Sequence, residues 1–391
     1  MRQIVVVLLL FVSLASQAVD IKVRLFSTIS FSEVTVIPDT GAYFLVALDK
    51  RLKTVDTILD IFSEEGQRNL KFSKVGNRVL VKKADEDLGR YDALVVVSKH
   101  PDKEFRIIAK GKYRVYHGDL RLRVFDGSLQ VVNIVDLEDY VGGVVESEGG
   151  KDLHPEYFKA QAVLARTFAL KNWNKHARDG YNLKDDVSSQ VYFSKAHYTH
   201  KEAILAAVNS TKDTLLVTHI CDPVLGVFHA NSGGCTVGAD HAWQNSIEYL
   251  VSRPDSFSVG IGSYEWEKEV SKDEFYGYLS RKMGVSNDLR FQKAVLNFDQ
   301  KGERQAYFRY AGKKLKLTAI RHKFRLRSTY FHIAEVRGNK LLLKGNGYGH
   351  GVGLSQDGAM EMDRRGYNYR EILHFYFSQT ELESLQNLNV E

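Results

Sequence analysis

The chain has 391 residues, 44% of them apolar and 26% charged, with 20 tyrosines, 21 phenylalanines and two cysteines. That balance is ordinary for a globular protein that buries a sizeable core, and two thiols alone cannot close a zinc site. The formal net charge of +6 suits an anionic partner such as cell wall or membrane surface without singling one out, and no nucleic-acid-binding motif is present.

The first residues read as an export signal. Arg2 supplies a positive start, Ile4 to Val12 form an apolar run, and Ser16 and Ala18 are the small residues before a cleavage point. The run falls short of the about 20 residues of a membrane span, so the mature chain is numbered from about Val19. The expected location is the periplasm or cell envelope, with an uncleaved anchor as the alternative.

Residues 20–150 alternate as strands do. Ile21, Val23 and Leu25 share one face, and β-rich runs follow at Val34–Ile37, Tyr43–Ala47, Arg78–Val81, Ala93–Val97 and Phe105–Ala109. Further runs lie at Tyr113–Tyr116, Leu120–Phe125 and Leu129–Val135, the last two split by the turn pair Asp126–Gly127. Asp152-Leu-His-Pro155 then opens a helix reaching about Lys175, with Asp152 or His154 as candidate cap. Other helices are expected at about Lys201–Ser210, Lys272–Met283, Ser355–Arg365 and Tyr369–Phe377, with strands dominating Arg290 to Lys344. This pattern predicts an α+β fold: a mixed β-rich domain over 111–391 with a few helices packed on it, preceded by a β-rich accessory region over 19–110.

Four segments are candidates for chemistry. In the first, Glu148 is followed by Gly149 and Gly150 just before the long helix, which would present it at a tight bend beside a helix N-terminus. That terminus would favour the carboxylate by about 0.3–1 kcal/mol, whereas a general acid needs the opposite bias from burial; a helix-capping role is the plain alternative. In the second, Lys159 and Arg166 stand seven residues apart on one face of an otherwise small and apolar helix, where a buried arginine needs a partner or a cleft. The third is Ser232-Gly-Gly, whose amides are free to hold a ligand oxygen. The fourth is Gly345-Asn-Gly-Tyr-Gly-His350-Gly-Val-Gly-Leu-Ser-Gln356, which has the ending of neither a phosphate loop nor a dinucleotide site. There His350 is a better ligand or catalytic residue than core filler.

Taken in order, these segments resemble the stage II sporulation protein D family, which also contains the LytB-type amidase enhancers. The resemblance runs through Asn133-Ile-Val-Asp-Leu-Glu-Asp-Tyr-Val-Gly-Gly-Val-Val, Glu148, Phe158 to Leu170, Ser189-Gln-Val-Tyr192, Ser232-Gly-Gly, Arg327-Ser-Thr329 with Phe331, and Gly347 to Ala359. It covers roughly residues 110–380. It implies a lytic transglycosylase that cleaves peptidoglycan glycan strands between N-acetylmuramic acid and N-acetylglucosamine, leaving 1,6-anhydro ends, with Glu148 as acid and then base. It also implies that Lys159 and Arg166 line the same cleft and that the glycan is stripped of its stem peptides. Gln190, Tyr192, Ser232, His350 and Gln356 are the candidate substrate contacts. Two departures stand out. Gly149-Gly150 replaces the family's usual Met-Pro, and Asp185 to Gln190 lacks the cysteines of zinc-binding members, so no metal or other cofactor is expected. Cys221 and Cys235 would pair as one disulfide in an oxidising compartment, the alternatives being free thiols or a metal site shared with His229. The rival functions are a hydrolytic muramidase with Glu146 or Asp186 as second acid, a glycan-binding enhancer of a cell-wall amidase, and a structural envelope protein.

Overall fold

The computed structural model describes residues 19–38, 43–61, 69–100, 103–150, 152–193, 200–243, 245–300 and 302–387. The export signal expected over 1–18 lies outside them. Within the described residues no helix is long and apolar enough to cross a membrane.

The first half is sheet because its alternation buries one side of every strand. In β1 (Asp20–Leu25), for example, Ile21, Val23 and Leu25 are inside. There follow β2 (Glu33–Pro38), β3 (Tyr43–Leu48), β4 (Thr54–Ile61), β5 (Leu70–Val75), β6 (Arg78–Lys83) and β7 (Glu86–Tyr91). Next come β8 (Ala93–Ser98), β9 (Glu104–Ala109), β10 (Lys112–His117), β11 (Asp119–Phe125) and β12 (Ser128–Asp136). They form two sheets, of order β10-β9-β2-β5-β6-β7 and β13-β1-β12-β11-β8-β3-β4, where β13 (Leu183–Lys184) runs parallel to β1. Residue 110 sits in the β9–β10 turn, and β1 pairs with β12 as β8 pairs with β11. The hydrogen-bonded sheets therefore run across the boundary expected near 110.

Helices α1 (Leu137–Glu148), α2 (Pro155–Lys171) and α3 (Lys201–Ser210) pack on this body and share its core. α2 is buried nearly all round, because Ala160, Ala162, Ala165 and Ala169 let neighbouring elements approach closely. Its first-turn N–H groups are capped in trans: Asp363 Oδ2 accepts from the amides of Glu156 and Tyr157 at 2.9 and 3.0 Å. Neither Asp152 nor His154 does so. Then come β14 (Thr214–Thr218), β15 (Phe228–His229) and α4 (Ala239–Ala242).

Residues 265–346 form a second, separate core around Trp266, Phe275, Phe291, Phe308 and Phe331. It comprises β16 (Glu265–Ser271), α5 (Lys272–Met283), α6 (Leu289–Leu296), β17 (Tyr307–Tyr310), β18 (Lys313–Lys316), α7 (Leu317–Phe324), β19 (Phe331–Arg337) and β20 (Lys340–Asn346). The stretch 290–344 carries the expected strands, β17 to β20, together with two helices, α6 and α7, that the sequence reading did not give. Asp288 caps α6 through the Phe291 amide, and Phe291 and Val295, one turn apart, are its buried face. Val237, Ala239 and Leu250, beyond β15, still belong to the main core, and after the second core the chain returns to it at β21 (Leu354–Ser355), which pairs parallel with β15. It ends with α8 (Gln356–Arg364), α9 (Tyr369–Tyr376) and β22 (Thr380–Ser384). Cys221 and Cys235 are unbonded, so the expected disulfide is absent.

Candidate active site

The glycine-rich loop after β20 spends its freedom on the protein itself. Gly349 has φ +113° and Gly353 φ +69°, and a Cβ would meet the His229 side chain at 2.6 Å and the Val227 carbonyl at 2.2 Å. The loop lies against residues 227–231 through Tyr348 N to Asn231 O at 2.8 Å and Leu354 N to Val227 O at 3.1 Å. Ser232-Gly-Gly is equally self-contained. The Gly233 amide donates to Asn231 Oδ1 and the Gly234 amide to Ser258 Oγ. Ser232 Oγ, fully buried, donates to Asp255 Oδ2 at 2.7 Å. Ser232 is thus a structural hydroxyl with no free face for a sugar.

Between the main body and the inserted subdomain these segments wall a cavity of about 680 Å³, within the roughly 300–1,000 Å³ usual for ligand clefts. One side is Phe168, Asn172 and Lys175 with residues 187–190; the other is residues 225–230, Trp243, Arg321 and Tyr348–His350. Glu148 and Gln356 also line it. Among the described residues on its walls, Glu148 is the only carboxylate.

Glu148 is the last residue of α1, and six residues separate it from the start of α2 at Pro155. The sign of the dipole effect is therefore reversed, since the negative end of α1 disfavours a second negative charge. Burial pushes the carboxyl above its ordinary range, against the partial offset of the Val191 amide, 3.3 Å from Oε1, and of Gln356. The backbone carbonyl of Glu148 accepts from Gln356 Nε2 at 3.0 Å and from Tyr157 Oη at 3.3 Å. Burial, with Glu148 close by, also raises the phenols of Tyr140 and Tyr157, which stay neutral donors. Tyr140 Oη donates to Gln190 Oε1 at 3.0 Å, leaving the Gln190 amide nitrogen with no partner among the described residues.

Two histidines bracket the Val352 peptide on the far wall. His229 Nδ1 lies 3.0 Å from the Val352 carbonyl and must donate, whereas His350 Nδ1 accepts from the Val352 amide at 3.1 Å. His350, accepting at Nδ1, is therefore neutral with its proton on Nε2, while burial pulls His229 well below the ordinary histidine range and favours its neutral Nδ1–H form. Burial, then the Arg321 charge, pulls His350 down to about 4, so it contacts a ligand as a neutral ring.

Gln190, His350 and Gln356 thus share the cavity with Glu148, but the other expected contacts do not. Arg166 is fully buried and forks onto Glu138, Nε to Oε1 at 2.8 Å and Nη2 to Oε2 at 2.5 Å, with Nη1 on the Thr214 carbonyl at 3.0 Å. Glu138 and Glu148 are ten residues apart, about 15 Å along the axis of α1 at 1.5 Å per residue, so Arg166 braces the opposite end of the helix. Lys159 pairs with Glu156 at 2.5 Å, outside the cavity walls. Tyr192 is fully buried, its Oη donating to Asn133 Oδ1 at 3.0 Å and its ring 4.9 Å from that of Tyr140. Neither Glu146 nor Asp186 lines the cavity. Asp186 accepts from Ser27 Oγ and the Ser188 amide, bonds that outweigh its partial burial and hold it below the usual carboxylate range. Tyr348 of the fourth segment lines the cavity too, and Lys175, Trp243 and Arg321 complete the walls from outside the four segments. Lys175 and Trp243 stand singly in turns after helices and Arg321 is a lone wall residue of α7, so no spacing marks them.

A family model described as stage II sporulation protein matches residues 125–217. The stage II sporulation protein D of Bacillus subtilis (strain 168) is 31% identical over 70% of this chain and 82% of its own length. The chain belongs to the stage II sporulation protein D family. The Bacillus amyloliquefaciens member is likewise 31% identical, over 66% of this chain and 77% of its own. A protein named amidase enhancer from Bacillus subtilis is 23% identical over 62% of this chain and 40% of its own. Family membership supports a cell-wall-related role, and the family-model match takes in α1, Glu148 and α2.

Proposed function

We propose that this family member is a lytic transglycosylase of peptidoglycan glycan strands, exported to the periplasm or envelope where that polymer lies. The reading rests above all on one observation: a single part-buried carboxyl, raised in pKa by desolvation, in a cavity whose described walls hold no second acid. Hydrolysis normally uses two carboxyls, one acting as acid and the other as base or nucleophile; an intramolecular attack dispenses with the second. Protonated Glu148 gives its proton to the oxygen bridging N-acetylmuramic acid and N-acetylglucosamine as the C1–O bond breaks. The resulting carboxylate then takes the proton of the muramic 6-hydroxyl while that oxygen bonds to C1. The proton returns to Glu148, no water is consumed, and the product is a 1,6-anhydro end. The Gln190 amide and the two neutral histidines supply polar contacts to the sugars, and Trp243 offers an aromatic face.

Incubation with peptide-stripped glycan tests this. Wild type is expected to release fragments one water lighter than hydrolysis products, and Glu148→Gln is expected to release none while still binding. Products carrying the extra water would replace the reading with a muramidase. The relative named amidase enhancer motivates a second reading, stimulation of a cell-wall amidase by a non-catalytic glycan binder. That reading predicts that Glu148→Gln stimulates as well as wild type.

A further inference from the structure

The hairpin of β17 and β18 carries charge that its own fold does not answer. Between residues 304 and 330 stand nine Lys and Arg and no Asp or Glu. The register sets Phe308 against Leu315, turned into the second core, and on the other face sets Arg309 against Lys314 and Tyr307 against Lys316. Lys314 Nζ lies 4.7 Å and the Arg309 guanidinium 5.4 Å from the centroid of the Tyr307 ring. Around the turn, Arg309, Tyr310, Ala311, Gly312 and Lys313 line a hollow of about 250 Å³. Lys313 and Lys316 donate to the backbone carbonyls of Gly284 and Trp243, each at 2.7 Å. None of Arg309, Lys313, Lys314 and Lys316 forms an ion pair with a described residue, although Lys323, in the same run, pairs with Glu274 at 2.7 Å. Like charges directly opposite one another across two strands are destabilising, so the Arg309–Lys314 pair works against the hairpin that presents it.

We infer that this face of the hairpin, Tyr307, Arg309, Lys314 and Lys316 with Lys313 at the turn, is a docking surface for a linear phosphodiester polymer. Same-face neighbours on one strand stand about 7 Å apart, and Arg309 and Lys314 are closer still across the pair. Cations that dense call for a partner with a charge in every repeat, which a phosphodiester backbone supplies. The Arg309 fork suits two oxygens of one phosphate, while the lysines act as point charges along the chain. A bilayer fits less well, because a surface-lying element needs an apolar face to bury. None of the exposed large apolar side chains falls between residues 304 and 330, and the turn itself is Ala311–Gly312. The five residues lie outside the walls of the Glu148 cavity, so docking here does not depend on what Glu148 does.

Calorimetric titration of the full-length protein with purified poly(glycerol phosphate) tests this. Saturable binding is expected, with an affinity that falls steadily as salt rises, because phosphates release their counterions on binding. Arg309→Gln with Lys314→Gln should weaken binding about five-fold, the product of two modest ionic contacts, and reduce the salt slope by about 1 to 2. The same loss of charge in the exposed β9–β10 turn, Lys110→Gln with Lys112→Gln, should leave affinity and slope nearly unchanged. Since the opposed cations repel, the hairpin variant should melt no lower than wild type. An equal loss in the two variants would reduce the effect to net charge and overturn the site, as would failure of the polymer to bind. Binding to phosphatidylglycerol vesicles in place of the polymer, lost in the hairpin variant, would overturn it in favour of a membrane. A lowered Tm in the hairpin variant would make the cation pair structural and overturn the assignment on that ground.

Discussion

Arg166 gives the sharpest test of what holds the active-site helix in place. In Arg166→Ala the guanidinium is lost from a site with no solvent access, stranding the Glu138 carboxylate, whose side chain is 17% exposed, and the Thr214 carbonyl. Breaking a buried pair from one side leaves an uncompensated charge and costs about 3–5 kcal/mol. At about 2.1 cal/mol/K per residue, for a chain of 391 residues unfolding as one unit, that is a fall in Tm of about 4–6 °C. Replacing both partners, Arg166→Met with Glu138→Leu, should recover most of it, because the stranded charge goes too and apolar replacements of similar volume are often neutral. Scanning calorimetry of wild type, the single variants and the double variant closes the cycle. The reasoning fails if Arg166→Ala keeps the wild-type Tm while glycan affinity collapses, for that would make the guanidinium a substrate contact.

Glu148 should act on stability in the opposite direction. Its folded pKa is raised, so the native state favours the protonated form. Stability is full below the unfolded pKa, about 4.3, and declines as pH rises to and through the folded pKa. Glu148→Gln escapes that decline, and its Tm should exceed wild type at pH 8 but not at pH 4; an equal offset at both would refute the linkage. The wild-type cleavage rate should fall as pH rises through the same raised pKa, since the acid form is consumed; a pH–rate profile flat across that range would remove Glu148 as the acid. Asp363→Ala uncaps α2 and should cost about 0.5–2 kcal/mol in urea unfolding, whereas Asp152→Ala should change nothing, because Asp363 is the residue that caps. Gly353→Ala places a Cβ 2.2 Å from the Val227 carbonyl at a positive φ and should lose at least about 1–3 kcal/mol from the backbone alone, read as a lowered Tm; an unchanged Tm would mean that the β15–β21 pairing yields freely.

The elements that could be read from the sequence are those whose local signal and tertiary role agree. α3 and α5 match their expected ends, and the strand alternation of β1, β2 and β9 is clean. α6 is different, with only Phe291 and Val295 buried in eight residues, too short a repeat to separate helix from strand. Glu148 and His350 could be singled out from their glycine-flanked settings, Gln190 and Gln356 only through the family resemblance, and the structure brings the four to one cavity. Arg166 was misplaced for a physical reason: a buried guanidinium needs an anion, and its spacing from Lys159 does not reveal that the anion is Glu138. Tyr192 and Ser232 were misplaced likewise, their hydroxyls having found partners inside the protein. Lys175 and Arg321 were illegible as wall residues, since they are far apart in sequence and come to line one cavity only in the folded chain.

What joins these results is the division of labour along α1. A carboxyl serves as a general acid near neutral pH only if its surroundings favour the proton, and every device that does so here also lowers folding stability. Burial, a helix C-terminus and the lack of a nearby described cation in ion-pair contact with Glu148 all act in that sense. The compensation lies elsewhere on the same helix. The first turn is clamped by the Arg166–Glu138 fork, and the last is tied to α2 and α8 through Tyr157 and Gln356 on its terminal carbonyl. A helix held at both ends can carry a destabilised carboxyl without swinging it into water, where the proton would be lost. Weakening either clamp should therefore lower the Glu148 pKa before it unfolds the protein. In Gln356→Ala that displacement would appear as the declining limb of the pH–rate profile moving toward acid. An unmoved limb with a lowered rate would instead make Gln356 a substrate contact alone.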